Sequence, residues 1–321
     1  MRRGVTLALL SAFAAAGVVS GCGAGGGKEE AQKPVVYMYR EISSENLVKI
    51  YEALGRKAEG RVAVKISTGE PGGHNFLDPA LIKELVQLVD GTIVECNTAY
   101  EGRRLRTEEH YRAAEEHGFT AIAPVDIMDA EGEVALPVTG GRHLTEDYVG
   151  SHYPDYDFTV VLSHFKGHAM GGFGGAVKNI SIGIASSMGK CWIHTAGKTK
   201  TDIWKNIAPQ DDFLESMAEA AKAVADHCGD RILYISVANN LSVDCDCNSN
   251  PAAPSMGDIG ILASLDPVAL DKACTDLVRS SEDEGKADLI ERIDSRHGMH
   301  TLEYAEQIGL GSQQYELVLL D

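Results

Sequence analysis

RVAVKI (Arg61–Ile66), DPALIKELVQLV (Asp78–Val89) and TIVE (Thr92–Glu95) decide the fold. The first and last are short β-rich runs. Between them Asp78 stands as a helix N-cap and Pro79 takes the first helical position, where its missing N–H costs nothing. Apolar residues then recur at Leu81, Ile82, Leu85, Val86 and Val89, the spacing of one helix face. Strand, helix and strand in immediate succession form the repeating unit of a parallel sheet covered by helices.

Outward from this unit the alternation continues. Strand-like runs lie at Val35–Tyr39, Thr120–Ala123, Phe158–Leu162, Arg231–Val237, Asp258–Ala263 and Tyr315–Leu320. Helical periods cover Asp211–His227 and Asp266–Arg279, the second opening on another Asp-Pro pair. Pro124 to Tyr156 is less regular and reads as an excursion from the core, and no internal repeat is visible. The expected fold class is α/β, a mainly parallel sheet flanked by helices, in a single domain over residues 34–321.

The first residues read MRRGVTLALLSAFAAAGVVSGC. Arg2 and Arg3 precede a small and apolar run that is too short for a spanning helix and has the flanks of a signal peptide. Val19-Ser20-Gly21-Cys22 resembles the bacterial lipobox, with its branched apolar residue, two small residues and cysteine. The expectation is a lipoprotein signal peptide over residues 1–21 and lipidation of Cys22. Residues 22–33 form a flexible tether with nothing able to build a core. The protein would then sit in the cell envelope, lipid-anchored to the outer face of a bacterial membrane. The export route, general secretory or twin-arginine, stays open.

The formal net charge is −18, from 29 Lys and Arg against 47 Asp and Glu. Phosphates would be repelled by such a body, which disfavours nucleic acid as a partner and also a polybasic footprint on lipid. After Cys22 the remaining cysteines are Cys96, Cys191, Cys228, Cys245, Cys247 and Cys274. They are too sparse for a disulfide scaffold, and no Cys-x-x-Cys occurs.

In open α/β sheets ligands bind beyond the carboxyl ends of the strands, and three unusual segments fall there. Ser163-His164-Phe165-Lys166-Gly167-His168 follows a strand and runs into Gly171-Gly172-Phe173-Gly174-Gly175-Ala176-Val177-Lys178-Asn179. His164, Lys166 and His168 are candidate catalytic groups. Gly172, Gly174, Gly175, Lys178 and Asn179 are candidates for holding a cofactor or an anionic small molecule. A helix starting near Gly175 would aim free backbone N–H groups at an anion, with Lys166 and Lys178 as countercharge. A flexible glycine hinge with solvent-facing histidines is the alternative. P-loop and His-Glu-x-x-His patterns are absent.

The second segment is Val243-Asp244-Cys245-Asp246-Cys247-Asn248. Residues two apart in extended backbone face one side, so Cys245 and Cys247 could give two thiolates to a soft metal ion or iron–sulfur centre. Two sulfurs leave such a metal short of ligands, and His164, His168 and Asp244 are candidates to complete it. The pair could instead be a disulfide closing a very short loop, or two buried thiols. In the third segment, Gly257 to Ala273, Asp266 is a helix N-cap, and structural roles suit Asp258 and Lys272. His74, in the Gly69–Asn75 loop, is a further candidate, with a solvent-exposed loop histidine as the alternative. Nucleophile-elbow, Rossmann and EF-hand motifs are missing.

Together these segments resemble the family called domain of unknown function 362, often labelled uncharacterised iron–sulfur centre proteins. The resemblance rests on Val62-Ala63-Val64-Lys65 with its Gly-Glu-Pro-Gly loop, Leu162 to His168, Gly172 to Asn179, Asp244 to Cys247, and Asp258 to Ser264 with Asp266 to Asp271. They occur in family order and span nearly everything from Val35 to Asp321. Many members carry a ferredoxin-like insert with Cys-x-x-Cys-x-x-Cys clusters after the glycine-rich segment. Here the chain passes from Lys190 to Asp211 through CWIHTAGKTKTDIWKNIAPQ, with one cysteine. The iron–sulfur label therefore does not carry over by that route, and no ferredoxin-type [4Fe–4S] motif is present. The resulting expectation is a metal- or small-molecule-dependent redox or transfer enzyme of unnamed substrate. The alternative is a non-catalytic lipoprotein that binds a ligand or a metal.

Overall fold

A computed structural model describes residues 32–321. The signal peptide, Cys22 and nearly all of the tether lie outside the described residues. In chain order the strands are β1 (Val35–Tyr39), β2 (Val62–Lys65), β3 (Gly91–Glu95) and β4 (Val125–Ile127), then β5 (Glu133–Pro137) and β6 (Glu146–Gly150). Next come β7 (Phe158–His164), β8 (Lys166–His168), β9 (Gly172–Gly174), β10 (Ile232–Ala238), β11 (Gly260–Ser264) and β12 (Glu316–Leu319). Eight of them form one sheet in the order β12-β1-β11-β10-β7-β2-β3-β4. Every pairing is parallel except the two made by β11. The α/β class and the mainly parallel sheet are therefore as expected.

The helices are α1 (Ser44–Ala53), α2 (Pro79–Leu88), α3 (Thr107–Glu116), α4 (Ala176–Ile180) and α5 (Ser187–His194). They continue as α6 (Ile203–Asn206), α7 (Gln210–Cys228), α8 (Pro267–Ser280), α9 (Lys286–Ser295) and α10 (His300–Gln307). Successive strand residues point to opposite faces, and both faces are covered. Val160, Leu162, Leu233 and Ile235 pack with α1 and α2, whereas Val161, Ile232 and Tyr234 pack with α4, α7 and α8. Burial on both sides explains why β7 and β10 read as mostly apolar runs instead of alternating ones. Both Asp-Pro starts are helix caps: Asp78 accepts from Ala80 N at 2.8 Å, and Asp266 from Val268 N and Ala269 N at 2.8 and 2.9 Å.

One expected strand is corrected. Thr120–Ala123 is not extended; Phe119–Ala121 makes a short turn of 3-10 helix. Gly118 at φ +87° swings the chain off α3, and buried Phe119 anchors the turn. The strand begins only after Pro124, whose carbonyl accepts from Ile93 N at 2.9 Å. The irregular stretch before Tyr156 contributes edge strand β4 and the separate β5–β6 hairpin.

The sheet order places the site. From β2 the chain winds outward through β3 to β4, whereas from β7 it winds the other way to β10 and β11. The neighbours β2 and β7 therefore flank the point where the winding reverses. Connections leaving their carboxyl ends diverge there and leave a crevice.

Candidate functional site

A cavity of about 1120 Å³ occupies that crevice. Its wall comes from the segments after β2, β3, β7 and β10, with α4, α5 and α6 closing it. Six Lys and Arg side chains line it against four Asp and Glu, an excess of positive charge within a chain of formal charge −18.

Most of these charges are tied into two buried networks. In the first, Lys65 at the end of β2 donates to Glu95 at the end of β3, at 3.0 Å. The other Glu95 oxygen accepts from Thr68 N at 2.8 Å and from Arg104 at 3.3 Å, and Arg104 reaches Glu70 at 2.8 Å. Burial opposes ionisation of Glu95, but Lys65 and Arg104 outweigh it and hold its carboxyl down at about 2. Burial works against the Lys65 ammonium and lowers its pKa, with Glu95 opposing that shift.

The second network is centred on Asp246, between the two cysteines. His164 Nδ1 lies 2.9 Å from Asp246 Oδ1, and Lys166 Nζ lies 2.8 Å from Oδ2. Burial raises the pKa of this carboxyl, but His164 and Lys166 prevail and keep it well below the usual carboxylate range. His164 Nε2 faces the Asn239 carbonyl at 2.7 Å, and Lys166 also donates to the His164 carbonyl at 2.8 Å. Both ring nitrogens of His164 are thus engaged by oxygen atoms of the protein itself. Among the three catalytic candidates, His168 alone keeps a ring nitrogen without a protein partner among the described residues. Its Nδ1 accepts from Gly171 N at 2.8 Å and Met170 N at 3.2 Å, so the neutral ring carries its proton on Nε2. Burial, with Lys178 adding to it, holds the His168 pKa well below the ordinary imidazole value.

The glycine-rich segment is neither a loop nor an open seat for an anion. It forms the β8–β9 hairpin followed by the one-turn helix α4. The free N–H groups expected after Gly175 are occupied: Asp271 of α8 accepts from Ala176 N at 2.7 Å and Val177 N at 3.0 Å. Gly175 permits this approach, since a Cβ there would stand 2.2 Å from the Asp271 carboxylate. Burial pushes the Asp271 carboxyl up to about 7, against the pull of those two N–H groups. The cradle as expected from sequence is thus corrected: an internal carboxylate holds the helix start. Gly172 packs against Gly298, away from the cavity lining. Asn179 lines the cavity but ties strand ends together, donating to Lys65 O at 3.2 Å and Ser163 Oγ at 3.1 Å. Gly174, Gly175 and Lys178 also line it, and the Lys178 side-chain amine forms neither an ion pair nor a hydrogen bond among the described residues.

Cys245 and Cys247 are joined by a disulfide on the cavity wall. A Cβ on Gly167 would sit 2.4 Å from the Val243 carbonyl, so the absence of one lets β8 lie directly against the cysteine loop. This places His168 beside the pair, and the donor atoms of His168, Cys245 and Cys247 lie within 4.8 Å of one another. Two sulfurs and an imidazole make a soft-metal donor set. Its use needs the S–S bond reduced. It also needs the His168 ring to shift its proton from Nε2 to Nδ1, with the Met170–Gly171 turn letting go. His164 and Asp244 do not join the group; Asp244 turns toward Ala252 N at 3.0 Å and Arg292 at 3.4 Å. Of the other candidates, His74 is exposed, Asp258 accepts from Asn240 N at 2.9 Å, and Lys272 pairs with Asp276.

Sequence reading missed Glu95, Glu70, Arg104 and Lys190. The available signal was a charge at the end of an otherwise apolar buried strand, as in VAVK and TIVE.

A search of curated proteins by sequence finds no match. Among solved structures, the lactate racemase apoprotein from Thermoanaerobacterium thermosaccharolyticum is similar at 15% identity and TM-score 0.38, over 63% of this chain and 50% of that one. A protein from Thermotoga maritima is similar at 16% identity and TM-score 0.42, over 74% of this chain and 58% of that one. The chain thus spans only about half the length of these structures. The family model described as Domain of unknown function (DUF362) matches residues 62–276, well over half of the sequence, and the chain belongs to that family.

Proposed function

We propose that the protein is an enzyme acting on a small anionic molecule held in the switch-point cavity, with the Cys245–Cys247 pair as its redox-responsive centre. The observation that carries this reading is the uncompensated positive charge of the cavity. Lys65, Lys166 and Arg104 are matched by buried carboxylates. Lys178 and Lys190 are not; Lys190 donates only to the carbonyls of Ala185 at 2.6 Å and Cys96 at 3.5 Å. Two cations without carboxylate partners, in a walled cavity of an acidic protein, focus an anion that the outer surface repels. Reduction of the disulfide would free two thiolates which, with His168, suit zinc, copper(I) or iron; a bound metal would supply Lewis-acid or redox chemistry.

The lipid anchor at Cys22 and a place on the outer face of a bacterial membrane belong to the same proposal. A disulfide fits an oxidising compartment of that kind. The disulfide also favours a second reading, a non-catalytic ligand-binding lipoprotein, because linked sulfurs are not metal ligands.

The test has two arms. Thermal shift with inorganic phosphate and with 2-hydroxyisobutyrate should show stabilisation that Lys178→Met weakens roughly tenfold to a hundredfold in affinity, since a charge-assisted hydrogen bond contributes about 1.5–3 kcal/mol. Burial, with Lys166 and Lys65 adding to it, brings the Lys178 amine down to about 7. Affinity should therefore fall as pH rises through that value and the ammonium is lost. Elemental analysis of anaerobically purified protein, with and without reductant, should find metal only after reduction, and a Cys245→Ser, Cys247→Ser variant should lose it. Absence of anion binding ends the cavity reading; metal bound equally by that variant removes the cysteines from it.

A further inference from the structure

We propose that Lys178 is a nucleophilic amine that condenses with the keto group of a small 2-oxo acid, an inference resting on the anion-binding reading of the cavity above. It turns on what distinguishes Lys178 from the other cavity lysines. Lys65 is held by Glu95, Lys166 by Asp246 and the His164 carbonyl, and Lys190 by backbone carbonyls. Each of those ammonium groups has acceptors that favour the charged form. Lys178 lines the same cavity with no acceptor among the described residues.

Its side chain also runs beside another cation. A Cβ on Gly174 would lie 3.5 Å from Lys178 Cδ and 3.8 Å from Lys166 Cε, so the two lysines converge over the bare backbone of β9. The groups that act on it are Lys166, Lys65 and Lys190, which disfavour its charge, and Asp246, which favours it; His168 and His194 stand near enough to feel it in turn. Asp246 is already shared between His164 and Lys166. Burial and this company bring the amine to about 7, where a large share is unprotonated at neutral pH. An exposed lysine near 10.4 holds about a thousandfold less free amine at pH 7.

The chemistry closes on its own atoms. The Lys178 nitrogen attacks the keto carbon, the carbonyl electron pair moves to oxygen, and that oxygen leaves as water after two protonations. The sum is ammonium plus ketone giving iminium plus water, with no oxidant or reductant required. The substrate carboxylate stays with the remaining cations, Lys190 foremost, since it has no carboxylate of its own. A 2-oxo acid places its anion and its electrophilic carbon one bond apart, which matches cations gathered around one reactive amine.

The test is trapping. The full chain is incubated at pH 7 with pyruvate and cyanoborohydride and then mapped by peptide mass. The expected result is a reduced adduct on Lys178 in roughly tenfold or greater excess over Lys57 and Lys205, which are exposed and serve as internal references. Lys178→Arg should abolish the adduct while pyruvate still shifts the melting temperature. 2-Hydroxyisobutyrate, a carboxylate with a hydroxyl in place of the keto group, separates the two readings. If both acids bind and no adduct forms on Lys178, or labelling is uniform over the lysines, the nucleophile proposal is overturned and the anion cavity stands. If neither acid binds, both readings fall.

Discussion

Glu95→Gln removes one charge from the wall of the cavity and should destabilise the protein by about 3–5 kcal/mol, the cost of breaking a buried ion pair from one side. The substitution nearly conserves shape, and its amide oxygen can still accept from Thr68 N. It leaves Lys65 without a carboxylate and Arg104 with Glu70 alone, and at 1% and 4% exposure neither has water to turn to. A second route gives a similar figure. The Glu95 carboxyl is held at about 2 against 4.5 for the free group, and at about 1.4 kcal/mol per pKa unit this amounts to about 3 kcal/mol. In a domain of this size, 1 kcal/mol moves the melting temperature by about 2 °C, so a fall of roughly 5–10 °C is expected.

The pH dependence supplies the sharper check. The folded-state pKa lies below the unfolded one, so the ionised carboxylate stabilises the fold fully above about pH 4.5 and ceases to do so as pH falls toward about 2. Urea unfolding followed by circular dichroism at pH 7, 5 and 3 should show wild type and Glu95→Gln converging in acid. A loss below about 1 kcal/mol at pH 7 would refute the argument. So would a difference that stays constant down to pH 3.

Two further outcomes are expected away from the anion site. Asp271→Ala leaves Ala176 N and Val177 N without their acceptor, so it should cost about 1–3 kcal/mol and speed amide exchange at the start of α4; unchanged exchange there would mean that the carboxylate does not hold the turn. Cys22→Ala should release the protein from the membrane fraction or block its processing, and unchanged retention together with unchanged mass would remove the lipid anchor.

The fold was legible wherever a local signal and the tertiary demand coincide. Asp78-Pro79 and Asp266-Pro267 mark helix starts because cap and ring geometry are local facts, and both caps are made as the residues imply. Phe158–Leu162 and Arg231–Val237 read as strands because sheet faces covered on both sides demand mostly apolar runs. Thr120–Ala123 misled for the same reason. Its apolar content serves Phe119, which is buried by a turn, and periodicity cannot separate a four-residue turn from a four-residue strand.

The site was legible as a place and much less so as a set of roles. That the segments after β2, β7 and β10 meet follows from strand ends gathering at a crevice, and a sequence shows where strands end. Which groups in the crevice remain available is decided by pairings across long separations: Glu95 with Arg104 and Lys65, Asp246 with His164, Asp271 with the α4 turn. None has a sequence signature, because the partners lie on different elements and meet only when the sheet assembles. His164 and the Gly175 turn spend their polar atoms on internal contacts, whereas Lys178, a candidate alongside them, keeps its amine for the cavity. In a buried site each satisfied polar group is one fewer available to a ligand, so the residue left over after the internal pairings are made is the one on which function can act.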